Sequence, residues 1–112
     1  MSCRRSKVLA EHTAVDKDKK PLYAMFWFWC PGCNEAHAYA AKIKGVEPPP
    51  NRPMWTFDEN MDAPTFTPSL RIISEERPCH LFVKNGHIQY CGDCFHELKG
   101  KIVPMVEIPD WI

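Results

Sequence analysis

The chain's hydrophobic pattern is strongest over residues 22–29, LYAMFWFW, where every position is apolar. Tyr23, Met25, Trp27 and Trp29 alternate with Leu22, Ala24, Phe26 and Phe28. Both faces of such a strand are apolar, so it is expected to be central and covered on both sides. Residues 34–44 allow two readings. Alanine and lysine suit a helix capped by Asn34. The alternation of His37, Tyr39, Ala41 and Ile43 suits a strand returning from the turn at 30–33, and this is the reading we prefer. Residues 45–53, GVEPPPNRP, form a stiff connection. MWTF (54–57) predicts a short strand, 58–68 turns, and SLRIIS (69–74) a strand.

The clearest local signal lies in CHLFVKNGHIQYC, residues 79–91. Asn85-Gly86 between alternating segments predicts a two-residue hairpin, because a type I′ turn needs positive φ at both central positions. Lys84 then faces His87. Cys79, Leu81, Val83, Ile88 and Tyr90 share an inward face, and His80, Phe82, Lys84, His87 and Gln89 share the outward one. Residues 97–101 read as a turn. The tail from 101 to 112, with Pro104 and Pro109, can be an edge strand at most. Residues 10–21 are polar and read as a loop.

These elements predict a mainly β protein, with a small α+β arrangement as the alternative. The expected architecture is one compact antiparallel sheet of about five strands. Residues 22–112 form the single domain, and residues 1–21 a basic, flexible N-terminal arm. A length of 112 residues suits one small core that a staple would help to hold. Eleven prolines favour short elements and fixed turns.

Charge narrows the partners. Fourteen basic and 14 acidic residues leave a formal net charge of zero, so no global field draws in nucleic acid or an anionic membrane. The arm is locally basic, through Arg4, Arg5, Lys7, Lys17, Lys19 and Lys20. No apolar run approaches the ~20 residues of a membrane span, and no secretory signal pattern is evident. A soluble, cytoplasmic protein is expected. Six cysteines in a reducing compartment then point to metal ligands or free thiols before disulfides.

Cys30-Pro31-Gly32-Cys33 alone would fit a redox dithiol, a disulfide framework or a metal knuckle. A thioredoxin-like dithiol needs a helix N-terminus and a βαβ context, and neither is evident. A second cluster follows: Cys91-Gly92-Asp93-Cys94, with Cys79 and His80 before it and His96 after it. Two such turns after strands point to a zinc-ribbon-like site. Spacing alone suggests Cys30, Cys33, Cys91 and Cys94. Hairpin parity instead brings Cys94 toward Cys79 and sends Cys91 to the face of His80. A bulge at Gly92 would reverse that.

FWCPGCNEAH, WTFDENMDAPTFTPSL, CHLFVKNGHIQY and GDCFHELKG, in this order, resemble a family of small proteins encoded by tailed phages and prophages. The family's function is uncharacterised, and some members carry an ammonia monooxygenase label. The resemblance covers about residues 22–110. It places Cys30, Cys33, His37, Cys79, His80, Asp93, Cys94 and His96 on motif positions. At Cys91 the family usually has an apolar residue, so this chain departs there. The expected metal set is therefore Cys30, Cys33, Cys79 and Cys94 around Zn2+, with His96, Cys91 or His80 as alternatives for one ligand.

Of the remaining residues, Cys3 is expected as a free thiol and His12 and His87 as surface groups. His37 either orients a ligand thiolate or faces solvent. His80, His96 and Asp93 are the candidates for acid–base chemistry should the protein be an enzyme. Trp111 is the aromatic expected to be exposed. No phosphate loop, nucleotide fingerprint, nucleophile elbow or His-Glu-x-x-His motif is present. The leading expectation is a zinc-stabilised protein-interaction module whose partner is a host or phage protein. A metal-dependent hydrolase with an open Cys/His-ligated zinc is the second reading, and a nucleic-acid-binding zinc module the third.

Overall fold

The computed structural model describes residues 3–112. It is built of eight strands in two antiparallel sheets, with no helix among the described residues. The first sheet is β1 (Ala10–Val15), β2 (Pro21–Cys30) and β3 (Glu35–Ala41), in that order. The second holds β4 (Thr56–Phe57), β5 (Phe66–Ile72), β6 (Cys79–Lys84), β7 (His87–Tyr90) and β8 (Ile102–Pro104), again in chain order. None of the described residues belongs to a helix long and apolar enough to cross a membrane.

The β-rich class is as the pattern predicts, but the single sheet of about five strands is corrected to two. Alternation explains the outcome. Ala24, Phe26, Phe28 and Cys30 of β2 are buried, while Tyr23, Met25, Trp27 and Trp29 are only partly covered. The inner set meets a second sheet. Tyr39 of β3 stacks on Phe66 of β5 with ring centroids 4.1 Å apart, and Phe26 of β2 lies 4.5 Å from Phe57 of β4. Burying apolar rings from both inner faces in one layer removes them from water together, which is what holds two sheets face to face.

The loop expected over 10–21 is also corrected: Ala10–Val15 form β1, paired with β2 from Ala10↔Trp27 onward. Its polar residues conceal it in the sequence, since Glu11, His12 and Thr13 serve an edge strand with one face outward. Arg4 and Arg5 of the arm are engaged in the fold. Arg4 bonds Glu11 and Glu59, and Arg5 bonds the carbonyls of Pro109 and Ile112.

The hairpin forms in the expected register, with Leu81↔Tyr90, Val83↔Ile88 and Lys84↔His87 opposed. Asn85 (φ 49°) and Gly86 (φ 75°) supply the two left-handed positions. Cys79, Leu81, Val83, Ile88 and Tyr90 are buried, and Phe82 and Lys84 face out. Residues 35–41 are the strand that we preferred over the helix. Trp111 is 74% exposed and rests edge-on against Trp29.

Candidate functional site

The inward face of β6 and the turn closing β2 bring thiols together. Cys30 ends β2, and Cys33 closes the Pro31-Gly32 turn, where its N–H donates to Cys30 Sγ at 3.4 Å. Asn34, with φ 57°, then reverses the chain into β3, which carries His37 back past the turn. Cys79 starts β6 on the inward parity. The result is a buried group in which one ligand atom each from Cys30, Cys33, His37 and Cys79 lies within 4.8 Å of every other. A second group, also buried, joins Cys79 to Cys94 and His96, with Cys79 Sγ 3.5 Å from His96 Nε2. All six cysteines are free, and these buried Cys/His clusters could hold a metal ion.

The electrostatics suit a cation. Cys30 is held down to about 3 by its hydrogen bond with Cys79, against the cost of burial and with help from His37, Tyr90 and the Cys33 N–H. Burial and the charge on Cys30 push Cys33 up to about 12. Cys79 is raised by the hydrogen bond with Cys30, by burial and by the same charge. One thiolate thus suppresses ionisation of its neighbours. A divalent ion would let all three ionise. Gly32 makes the approach of His96 feasible, because a Cβ there would lie 2.3 Å from the His96 ring.

On the outward face of the second sheet stands a different constellation. The ladder pairs Phe66↔Val83 and Leu70↔Leu81, so residues 67–69 stand opposite Phe82 alone. Such a bulge leaves its extra residues without ladder partners of their own. The Ser69 carbonyl is pinned by Trp55 Nε1–H at 3.0 Å. Across the ladder His80 pairs with Arg71, which puts Ser69 and His80 in diagonal positions on one face. His80 Nε2 lies 2.9 Å from Ser69 Oγ. His80 Nδ1 lies 3.3 Å from Asp93 Oδ2. Asp93 sits in the turn after β7, which is tied back to β6 by Cys91 N–H to the His80 carbonyl at 2.9 Å.

The residues singled out in the sequence therefore divide between two faces of β6. Cys30, Cys33, Cys79 and His37 meet inside, and Cys94 and His96 adjoin them through Cys79. Cys91 does not join the buried thiols; its sulfur gathers with His80 and Asp93 near the outer face. His80 and Asp93, candidates for acid–base chemistry, lie together, while His96 is buried at 8% exposure on the other side. Ser69 was missed. It lies in no glycine-flanked motif, and its partners are 11 and 24 residues downstream, so only strand pairing brings them together. A serine straight after a turn-rich, proline-bearing segment was the one local hint.

No curated protein and no solved structure matches the chain. One family model does, over residues 2–91: BubE, the bacterial ubiquitination-like system serine protease. That description names a bacterial system and not the tailed-phage family of the sequence resemblance. Ser69 and His80 fall inside the matched span, and Asp93 lies just beyond its end. With most of its length matched, the chain belongs to the BubE family.

Proposed function

We propose that this protein is a serine protease with Ser69 as nucleophile, His80 as general base and Asp93 as the carboxylate that orients the imidazole. One observation carries the reading: each ring nitrogen of His80 has the partner that such a relay needs, Ser69 Oγ on Nε2 and Asp93 Oδ2 on Nδ1. The same constellation recurs on unrelated folds, where geometry and roles identify it and chain order does not. The description of the matching family supports the same chemistry.

In this reading His80 Nε2 takes the Ser69 proton as Oγ attacks the scissile carbonyl carbon. The new C–O bond gives a tetrahedral adduct. His80 then returns the proton to the departing amine, the C–N bond breaks, and an acyl-serine remains. Water, deprotonated by His80, releases the acid and regenerates Ser69. Asp93 accepts Nδ1–H, which fixes the productive tautomer and stabilises the imidazolium. The site lies on the open face of the sheet. Phe82, 40% exposed and stacked near His80, provides an apolar neighbour for a peptide laid across it.

The test is covalent. A fluorophosphonate should label the purified protein, and peptide mapping should find the adduct on Ser69. Absence of label, or equal labelling of Ser69→Ala, would reject the assignment. The interaction module favoured from sequence leaves the relay without a role. A metal hydrolase built differently from the one read in the sequence, where His80, His96 or Asp93 handle the proton beside an open Cys/His-ligated zinc, would draw on Cys91, His80 and Asp93, whose ligand atoms lie within 4.8 Å of one another. There His80 and Asp93 would be ligands and Ser69 dispensable, so Ser69→Ala separates the two.

We further infer that the buried thiol cluster takes Zn2+, which is borderline-soft and suited to sulfur and imidazole. Bound there, the ion would supply charge neutralisation and a rigid cross-link between the two sheets. Cys30, Cys33 and Cys79 would be its sulfur ligands.

A further inference from the structure

We propose that His37 is the fourth ligand of this site, and that the filled site positions His80 from behind through Cys79 while Cys94 bonds His80 and not the ion. The proposal rests on the serine-protease reading, which supplies the role for His80, and it identifies what controls that site.

The ligand set follows from which atoms are free. Cys30, Cys33, His37 and Cys79 form one mutually close, buried group. His37 is 5% exposed and brings one ring nitrogen within 4.8 Å of the three sulfurs; its Nε2 is buried and makes no hydrogen bond of ordinary geometry, although the ring acts on the Cys30 thiol. A buried imidazole nitrogen so poorly satisfied is costly in a folded protein, and a metal removes that cost. Cys94 is already occupied. Its Sγ lies 3.3 Å from the His80 N–H and 3.2 Å from the His80 carbonyl oxygen. Serving both groups takes a neutral thiol, which accepts from the N–H and donates to the carbonyl. A metal-bound thiolate has no proton for the second bond. His96 Nε2, 3.5 Å from Cys79 Sγ, is within reach to donate to a ligand thiolate, as outer groups around metal sites do.

The coupling follows from the strand. Cys79 and His80 are consecutive in β6, so their side chains leave opposite faces. A ligand at Cys79 holds the backbone directly beneath the imidazole. The Asp93–Cys94 step repeats the arrangement: Cys94 is buried and bonded to the His80 backbone, while Asp93 reaches the His80 ring. His80 is thereby held on its backbone by Cys94, on its N-terminal neighbour by the site, and on its ring by Asp93 and Ser69. A relay needs its groups within a fraction of an ångström of productive geometry, so loosening β6 at Cys79 should slow the chemistry before it unfolds the sheet.

Two measurements test this on the full chain. The first is the visible and near-ultraviolet spectrum of the wild-type protein loaded with Co2+. Thiolate-to-cobalt charge transfer should have the intensity of three sulfurs; that of four would place Cys94 in the set and overturn it. Metal content should agree: His37→Ala loses the ion, and Cys94→Ala keeps it. The second is the rate of fluorophosphonate labelling at Ser69 as zinc is withdrawn by chelator and restored, with far-ultraviolet circular dichroism recorded in parallel. We expect labelling to fall at least ten-fold while the sheet signal persists, and to recover on re-addition. Labelling that ignores the metal, or that falls only in step with the sheet signal, would overturn the coupling. A holoprotein that never labels would instead reject the protease assignment.

Discussion

Ser69 Oγ and His80 Nε2 stand 2.9 Å apart although the ladder pairs His80 with Arg71, not with Ser69. The bulge over residues 67–69 and the bond from Trp55 to the Ser69 carbonyl set this diagonal contact. This contact is thus a product of strand register.

Ser69→Ala should abolish fluorophosphonate labelling and lower peptide-bond cleavage by roughly 10³-fold or more, as loss of a triad nucleophile does. The substitution leaves the thiol cluster untouched, so metal content measured on the same sample should be unchanged. A variant that retained cleavage would shift the chemistry to another group.

Asp93→Asn should lower kcat by roughly 10²- to 10⁴-fold with little change in KM, because the amide can offer a donor to Nδ1 and favour the wrong tautomer. Steady-state kinetics on one peptide ester would resolve the two constants. A rise in KM alone would make Asp93 a binding group.

Gly32→Ala should destabilise the fold by about 1–3 kcal/mol, the usual cost of overpacking. The new Cβ would lie 2.3–2.5 Å from three atoms of the His96 ring, which must then shift and disturb its contact with Cys79 Sγ. Urea unfolding of the holoprotein would show the lower midpoint. An unchanged midpoint would mean that the His96 ring is free to swing aside.

Removing the ion from the thiol cluster should lower the urea midpoint strongly, since zinc ligation can contribute on the order of 10 kcal/mol to folding. Cys30 and Cys33 belong to the first sheet's β2 turn and Cys79 to the second sheet, so an ion bound there would join the two layers. Chelation with no effect on the midpoint would rule out a structural role.

Acid should weaken the Arg4–Glu11 contact. Burial raises the Glu11 carboxyl, but side-chain and backbone hydrogen bonds from Arg4 outweigh it, so the group sits below its ordinary value of 4.5. A carboxyl lowered on folding adds stability that is fully present above its unfolded value and lost as pH falls through the folded one. Between neutral pH and about pH 5 the contribution of Glu11 should be flat, and below 4.5 it should fade. Glu11→Gln should make the acid limb of a stability-against-pH curve shallower. An identical limb would show that Arg4 contributes nothing through this pair.

The sequence by itself determined the central strand, the strand returning from Cys33 and the two faces of the hairpin. Alternation assigned Cys79, Leu81 and Val83 inward and His80 and Phe82 outward, and Asn85-Gly86 set the register, because side-chain parity and turn geometry are properties of neighbouring residues. The same parity separated Cys91 from Cys94. Tertiary structure alone decided the rest. It divided the strands between two sheets, turned Ala10–Val15 into an edge strand, brought a ring nitrogen of His37 into the buried thiol group, and placed Ser69 against His80. The physical reason is range. A bulge shifts register by whole residues, and its effect appears only on the strand that pairs with it. The surroundings of Ser69 are therefore written in β6 and in the turn after β7, not in the residues next to it.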